Sequence, residues 1–327
     1  MKVAILGAGS WGTALSIHLA RAGHDVVLWS RDPEVAREIE ASSRHPRRLP
    51  GISIPASVRA TSDLGRALDH SPTAVLAVPC AALRPLLESA PQAAGMRSFL
   101  SAAKGIEPET LKRMSQIVLE YHPSAAVAAL SGPTFAEGVA RGDPSAAVVA
   151  DAGDGLAREL QAAFSDARLR LYSSDDLVGV ELAGALKNVV AIAAGIVSGL
   201  GFGHNTLAAL VTRGLAEIGR VVRAHGGQER TVVGLAGVGD LMLTCTGQQS
   251  RNRRVGEEIG RGRRLSEILV EMPEVAEGPR TCLAVPRLAA KASVEAPIAE
   301  AVLQVLYEGV APREAVDRLM TRTLKAE

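Results

Sequence analysis

Three glycines near the start of the chain, Gly7, Gly9 and Gly12, stand in the spacing G-x-G-x-x-G, with an apolar run over 3–6 before them and a helical pattern over 13–22 after them. Strand, glycines and helix in that order wrap a dinucleotide. The first glycine permits a tight turn, the second lets backbone approach a pyrophosphate, and the third lets the helix pack on the strand with its N-terminus facing the phosphates. A second apolar strand over 26–29 ends in Ser30-Arg31. Sites for NAD usually offer a carboxylate there to the ribose 2′-hydroxyl, whereas an arginine pairs with the 2′-phosphate of NADP. Asp32 does not read as that carboxylate, because Asp32-Pro33 ahead of a helical run over 34–40 has the pattern of an N-cap with proline at the first helical position. Arg31 therefore points to NADPH, with NADH the alternative.

Lys187 is the other residue whose setting suggests chemistry. It stands, followed by Asn188, in a long helical stretch that is otherwise small and apolar. A membrane span would put Lys187 and Asn188 near mid-bilayer, which disfavours it. Two readings stay open: a lysine snorkelling from a core helix, and a catalytic lysine whose buried ammonium is pushed toward proton exchange with a substrate oxygen. Loops that follow strands in an open parallel sheet are where ligands bind. One carries Lys104 and another carries Gly132, Pro133 and Thr134; each is also compatible with an ordinary surface lysine or turn. Farther on, Asp240 sits in a glycine-rich loop, and Ser250, Arg251 and Asn252 cluster a hydroxyl, a guanidinium and an amide, the mixture that holds a phosphate by forked, charge-assisted hydrogen bonds.

Apolar strands over 73–78, 98–101, 125–130 and 146–149 alternate with helical stretches such as 81–89 and 109–120. This alternation predicts a doubly wound, mostly parallel α/β sheet over residues 1–172. Beyond it the texture becomes alanine-, leucine- and glycine-rich and helical, so an all-α domain is expected over 173–327, with loops over 44–48 and 273–279. The chain has 327 residues, 47% of them hydrophobic, enough for a substantial core. A net charge of +1 and 3% aromatic residues argue against nucleic acid or an anionic membrane as partner. Three scattered cysteines suggest reduced thiols, a cytoplasmic setting and no metal site. The apolar start breaks at glycine too soon for a signal peptide.

The chain resembles the bacterial NAD(P)-dependent glycerol-3-phosphate dehydrogenases along nearly its whole length. The resemblance rests on Gly7-Ala-Gly-Ser-Trp-Gly-Thr-Ala-Leu15, Lys104-Gly105, Leu130-Ser-Gly-Pro-Thr-Phe-Ala136, Gly184-Ala-Leu-Lys-Asn-Val189, Thr212-Arg-Gly-Leu-Ala-Glu217, Gly237-Val-Gly-Asp-Leu241, Leu243-Thr-Cys-Thr246, Ser250-Arg-Asn-Arg-Arg254 and Val275-Ala-Glu-Gly278. It implies hydride transfer between NAD(P)H and dihydroxyacetone phosphate, giving sn-glycerol 3-phosphate for phospholipid synthesis, with Lys187 as the proton-transferring group. Lys104, Gly132, Thr134, Asp240, Ser250, Arg251 and Asn252 match positions that hold the substrate. Ser10, Trp11, Arg31, Ala136, Val275 and Glu277 match cofactor-contacting positions, as do Lys104 and Arg251. The resemblance also implies a homodimer and an active site between the two domains.

Two departures stand out. Where the family often reads Asn-x-x-Tyr-Leu-Pro-Gly, this chain has His45-Pro-Arg-Arg48-Leu-Pro-Gly51, so Arg48 replaces a tyrosine near the cofactor; and Leu207 occupies a place where a basic residue is common. A hydroxy-acid dehydrogenase of similar architecture would leave the cluster at 250–252 without a purpose. A non-catalytic NADP-sensing module would leave Lys187 without one.

Overall fold

A computed structural model describes residues 1–90, 96–272 and 274–324. The chain divides into two compact units, residues 1–104 with 112–181, and residues 105–111 with 182 onward.

The first unit is built on eight strands: β1 (Lys2–Leu6), β2 (Asp25–Trp29), β3 (Arg59–Thr61), β4 (Thr73–Leu76), β5 (Ser98–Ser101), β6 (Ala126–Ser131), β7 (Ser145–Ala150) and β8 (Leu169–Ser174). They form one sheet in the order β3-β2-β1-β4-β5-β6-β7-β8, parallel throughout except where β6 meets β7. Among the described residues seven helices accompany them: α1 (Ser10–Arg21), α2 (Pro33–Ser42), α3 (Leu64–His70), α4 (Cys80–Glu88), α5 (Met114–Tyr121), α6 (Ala136–Arg141) and α7 (Leu156–Phe164). The central strands are near-continuous apolar runs because both faces are covered. Successive side chains go to opposite faces, so Ile5, Leu28 and Leu100 join one core with Ile17, while Leu6, Val27 and Phe99 join the other with Leu83. This is the expected doubly wound sheet.

Differences from the sequence reading lie in short or polar elements. β3 has only three residues, Arg-Ala-Thr, and offers no apolar run. β8, Leu-Arg-Leu-Tyr-Ser-Ser, alternates buried and exposed positions and pairs with β7 over six residues, where the texture had suggested the end of the domain. The helix expected over 109–120 begins only at Met114, after a turn in which Leu111 takes φ +62.

All the described elements of the second unit are helical. α8 (Leu177–Gly199) begins just before the division, followed by α9 (His204–Ala224), α10 (Glu229–Val232), a π-helical turn Leu235–Gly239, α11 (Asp240–Thr246), α12 (Arg251–Gly260), α13 (Leu265–Glu271), α14 (Gly278–Cys282), α15 (Val285–Lys291), α16 (Pro297–Tyr307) and α17 (Pro312–Met320). The loop expected over 273–279 gives way to α14 at Gly278, and Pro273 lies outside the described residues. α8 is the one described helix long and apolar enough to cross a membrane, and its apolar window is wholly buried inside the protein. Its close packing on α12 depends on glycines: a Cβ at Gly195 would lie 2.0 Å from the Arg253 carbonyl oxygen, and one at Gly256 would lie 2.0 Å from that of Ile192. Asn188 on α8 thereby meets Asn252 near the start of α12, whose Nδ2 donates to Asn188 Oδ1 at 2.9 Å.

Candidate active site

In the first unit the glycine-rich loop has the predicted form, with α1 starting at Ser10, inside the loop. Gly7 takes φ +120, and a Cβ there would sit 2.7 Å from the Ala77 carbonyl oxygen. A Cβ at Gly12 would sit 1.9 Å from the Gly7 carbonyl oxygen, so helix and turn touch backbone to backbone. Gly9 differs: a Cβ there would meet nothing within 4 Å, which marks the open side of the loop. The indole nitrogen of Trp11 is buried with no hydrogen-bond partner in the protein. Open space beside Gly9, an unsatisfied donor at Trp11 and the amide-rich start of α1 fit a pyrophosphate-containing dinucleotide.

At the end of β2, Arg31 is exposed and Asp32 caps α2 as the sequence suggests, its Oδ1 accepting from Glu34 N at 2.9 Å with Pro33 at the first helical position. Arg48 is partly buried in the segment after α2. Lys104, in the loop after β5, donates from Nζ to the Gly132 carbonyl at 3.1 Å, so the two strand-end loops singled out in the sequence meet. Gly132 takes φ +143, and a Cβ there would press to 2.8 Å on Ala147 Cα. Thr134 turns back through its amide to the Gly132 carbonyl at 2.8 Å, and Ala136 opens α6.

In the second unit, Lys187 is 6% exposed. Its Nζ lies 2.8 Å from Asp240 Oδ1 and donates to Thr244 Oγ1 at 2.7 Å, while Thr244 donates onward to the Asp240 carbonyl at 2.6 Å. Asp240 and Thr244 are four residues apart on α11 and share a face. The result is an ammonium, a carboxylate and a hydroxyl confined within a helical core, a setting in which an amine can pass a proton to or from a bound oxygen. Cys245 beside it is not a nucleophile, since burial pushes its thiol up to about 12.

Ser250 is the N-cap of α12, its hydroxyl accepting from Arg253 N at 3.2 Å. Arg251 is exposed at the same terminus, with Nε 3.8 Å from Glu274. Asn252 is buried and committed within the protein: Oδ1 accepts from Gly278 N at 2.9 Å and Nδ2 donates to Asn188 Oδ1 at 2.9 Å. It ties α8 to the start of α14, immediately after Val275, which is exposed, and Glu277, which precedes the helix. Sequence reasoning assigned no role to Thr244 or to the Asn188 amide. The spacing of Thr244 from Asp240, one helical turn, was the available signal.

Two family models match the chain: NAD-dependent glycerol-3-phosphate dehydrogenase N-terminus over residues 2–157 and NAD-dependent glycerol-3-phosphate dehydrogenase C-terminus over 176–317. Among relatives, a glycerol-3-phosphate dehydrogenase [NAD(P)+] of Salinibacter ruber is 50% identical, with 100% of this chain and 97% of that protein covered. One of a Thermoanaerobacter species is 48% identical, with 100% and 99% covered. A crystal structure of glycerol-3-phosphate dehydrogenase from Coxiella burnetii superposes with a TM-score of 0.93 at 37% identity, covering 98% of this chain and 99% of that one.

Proposed function

This chain belongs to the NAD-dependent glycerol-3-phosphate dehydrogenase family, and from that premise we propose that it interconverts dihydroxyacetone phosphate and sn-glycerol 3-phosphate, with Lys187 as the residue that moves the proton. The observation that carries this reading is the buried Lys187–Asp240–Thr244 cluster in an otherwise apolar helix core. The nicotinamide cofactor, when bound, supplies or takes up the hydride.

The chain's own residues do the rest. Gly7, Gly9, Ser10, Trp11 and Gly12 receive the dinucleotide, and Arg31 with Arg48 takes its adenosine end, favouring NADPH. Lys104, Ala136, Arg251, Val275 and Glu277 make the remaining cofactor contacts. Lys104, Gly132, Thr134, Ser250, Arg251 and Asn252 hold the phosphorylated substrate. Asp240, 2.8 Å from Nζ, orients Lys187, so that Nζ–H donates to the carbonyl oxygen as it becomes a hydroxyl, and the neutral amine accepts that proton in the reverse direction. The same reading makes the protein a cytoplasmic homodimer that supplies phospholipid synthesis; sedimentation velocity tests the dimer.

The direct experiment follows NADPH or NADH absorbance in the presence of dihydroxyacetone phosphate or dihydroxyacetone. Oxidation that needs the phosphate, faster with NADPH, is expected. No oxidation alongside tight NADPH binding would remove the proposed reaction.

A further inference from the structure

The segment after α2 bears directly on which dinucleotide the first unit accepts. His45 is its anchor. His45 Nδ1 lies 3.1 Å from both Arg47 N and Arg48 N, which can only donate, so Nδ1 carries the lone pair and Nε2 carries the hydrogen. Nε2–H donates to the Ala8 carbonyl at 2.8 Å, inside the glycine-rich loop. Leu49, buried in the core beneath, holds the same segment down with φ +48. Arg47, set by this turn, pairs through its guanidinium with Asp32 Oδ2. Asp32 Oδ1 is already taken by Glu34 N as the cap of α2. Each oxygen of the carboxylate that directly follows Arg31 therefore already accepts a hydrogen bond, one of them from a guanidinium that offsets its charge, and the Arg47 hydrogen bond holds its carboxyl below the usual range.

We propose that Arg47, positioned by His45, is a cofactor-specificity residue: it covers Asp32, the carboxylate at the end of β2, and so turns the site toward an adenosine bearing a 2′-phosphate. An uncovered Asp32 would offer an acceptor to a ribose 2′-hydroxyl and would repel a phosphate beside Arg31. With Arg47 on it, the end of β2 presents cations and a carboxylate whose charge is offset. The ion pair is exposed and adds little to stability; its effect lies in the local charge met by the ligand. The inference rests on the dinucleotide reading above and deepens it.

The test is calorimetric titration of 2′,5′-ADP and 5′-ADP, which report the adenosine end without turnover. Wild-type protein should bind 2′,5′-ADP more tightly. Arg47→Ala should weaken 2′,5′-ADP by roughly fivefold to tenfold, the scale of a like-charge interaction across a few ångströms of partly screened solvent, with 5′-ADP unchanged or tighter. His45→Ala should shift the same ratio in the same direction by less. Adding Asp32→Asn to Arg47→Ala should restore 2′,5′-ADP binding, because asparagine keeps the helix cap and removes the charge. Loss that Asp32→Asn does not restore would make Arg47 a direct phosphate ligand and overturn the covering role. An unchanged ratio in Arg47→Ala, or a wild type that binds both nucleotides equally, would also overturn it. Turnover of dihydroxyacetone phosphate with NADH in the same preparations reports the proposed reaction independently.

Discussion

The glycine-rich loop of the first unit and the Lys187 cluster of the second, both proposed to meet a ligand, are built by opposite means. The loop works by what its residues lack. At Gly7 and Gly12 a Cβ would collide with backbone, and at Gly9 the missing Cβ leaves open space. Its polar surface is main-chain amide supplemented by exposed arginines. The Lys187 cluster works by what its residues bury. Lys187, Asp240 and Thr244 are nearly inaccessible, and each satisfies another. Added atoms should therefore be the damaging change in the loop, and removed atoms the damaging change in the cluster.

The sharpest test of that contrast is Lys187→Ala. Its kcat should fall by about 10²- to 10⁴-fold, while NADPH affinity, titrated by fluorescence, stays near wild type. The variant also leaves Asp240 buried without its cation, a loss on the order of 3–5 kcal/mol in chemical denaturation, so kinetics must be measured where circular dichroism shows it folded. Wild-type turnover would break the comparison outright. Next in size, Arg251→Ala should raise the KM for dihydroxyacetone phosphate about tenfold or more, the worth of a charged hydrogen bond of about 1.5–3 kcal/mol. An unchanged KM would place the phosphate elsewhere.

Glycine substitutions sharpen the comparison within one residue type. Gly12→Ala and Gly256→Ala should each lose about 1–3 kcal/mol in urea unfolding, because the new methyl meets a backbone oxygen that cannot move aside. Gly9→Ala should unfold like wild type yet bind NADPH more weakly, since its space belongs to the ligand. A destabilised Gly9→Ala would show that the loop is packed rather than open.

The remaining expected effect concerns pH. Glu217, on α9, accepts from Ile298 N and Ala299 N at the start of α16, and burial pushes its carboxyl from 4.5 up to about 7. Between those values the folded state holds a proton that the unfolded state has released. The contribution is thus complete below 4.5 and is lost as pH rises toward 7, by on the order of 1.4 kcal/mol per pH unit. Glu217→Gln should remove that slope from the stability–pH curve; an unchanged slope would assign it to other groups.

The parts of this molecule legible in the sequence are those where one residue type has one physical use. Gly7, Gly9 and Gly12 between a strand and a helix, Asp32-Pro33 at a helix start, and a lysine amid alanine and leucine each limit the local options severely. β3 and β8 were not legible, because three residues of mixed polarity, or an alternation broken by serines, carry too little apolar area to distinguish a strand from a loop until a neighbouring strand pairs with them. Asn252 shows a different limit. Its type and position beside Arg251 suggest a ligand contact, and nothing in that pattern reveals that the same amide also joins Asn188 to Gly278. An amide looks the same in sequence whether its partners are a ligand or the protein.

Local sequence determined the strand–glycine–helix entry, the alternation of strands and helices that makes a doubly wound sheet, the helical second half and the candidate Lys187. These follow from short-range sterics, capping and periodicity, which operate within a few residues. Tertiary structure alone decided that Asp240 and Thr244 close on Lys187, that glycines at 195 and 256 let α8 and α12 meet at backbone distance, and that Arg47 lies on Asp32 under the hold of His45. Each of those pairings joins residues tens of positions apart or depends on which neighbour burial supplies, and no periodicity in one segment encodes the identity of a partner in another.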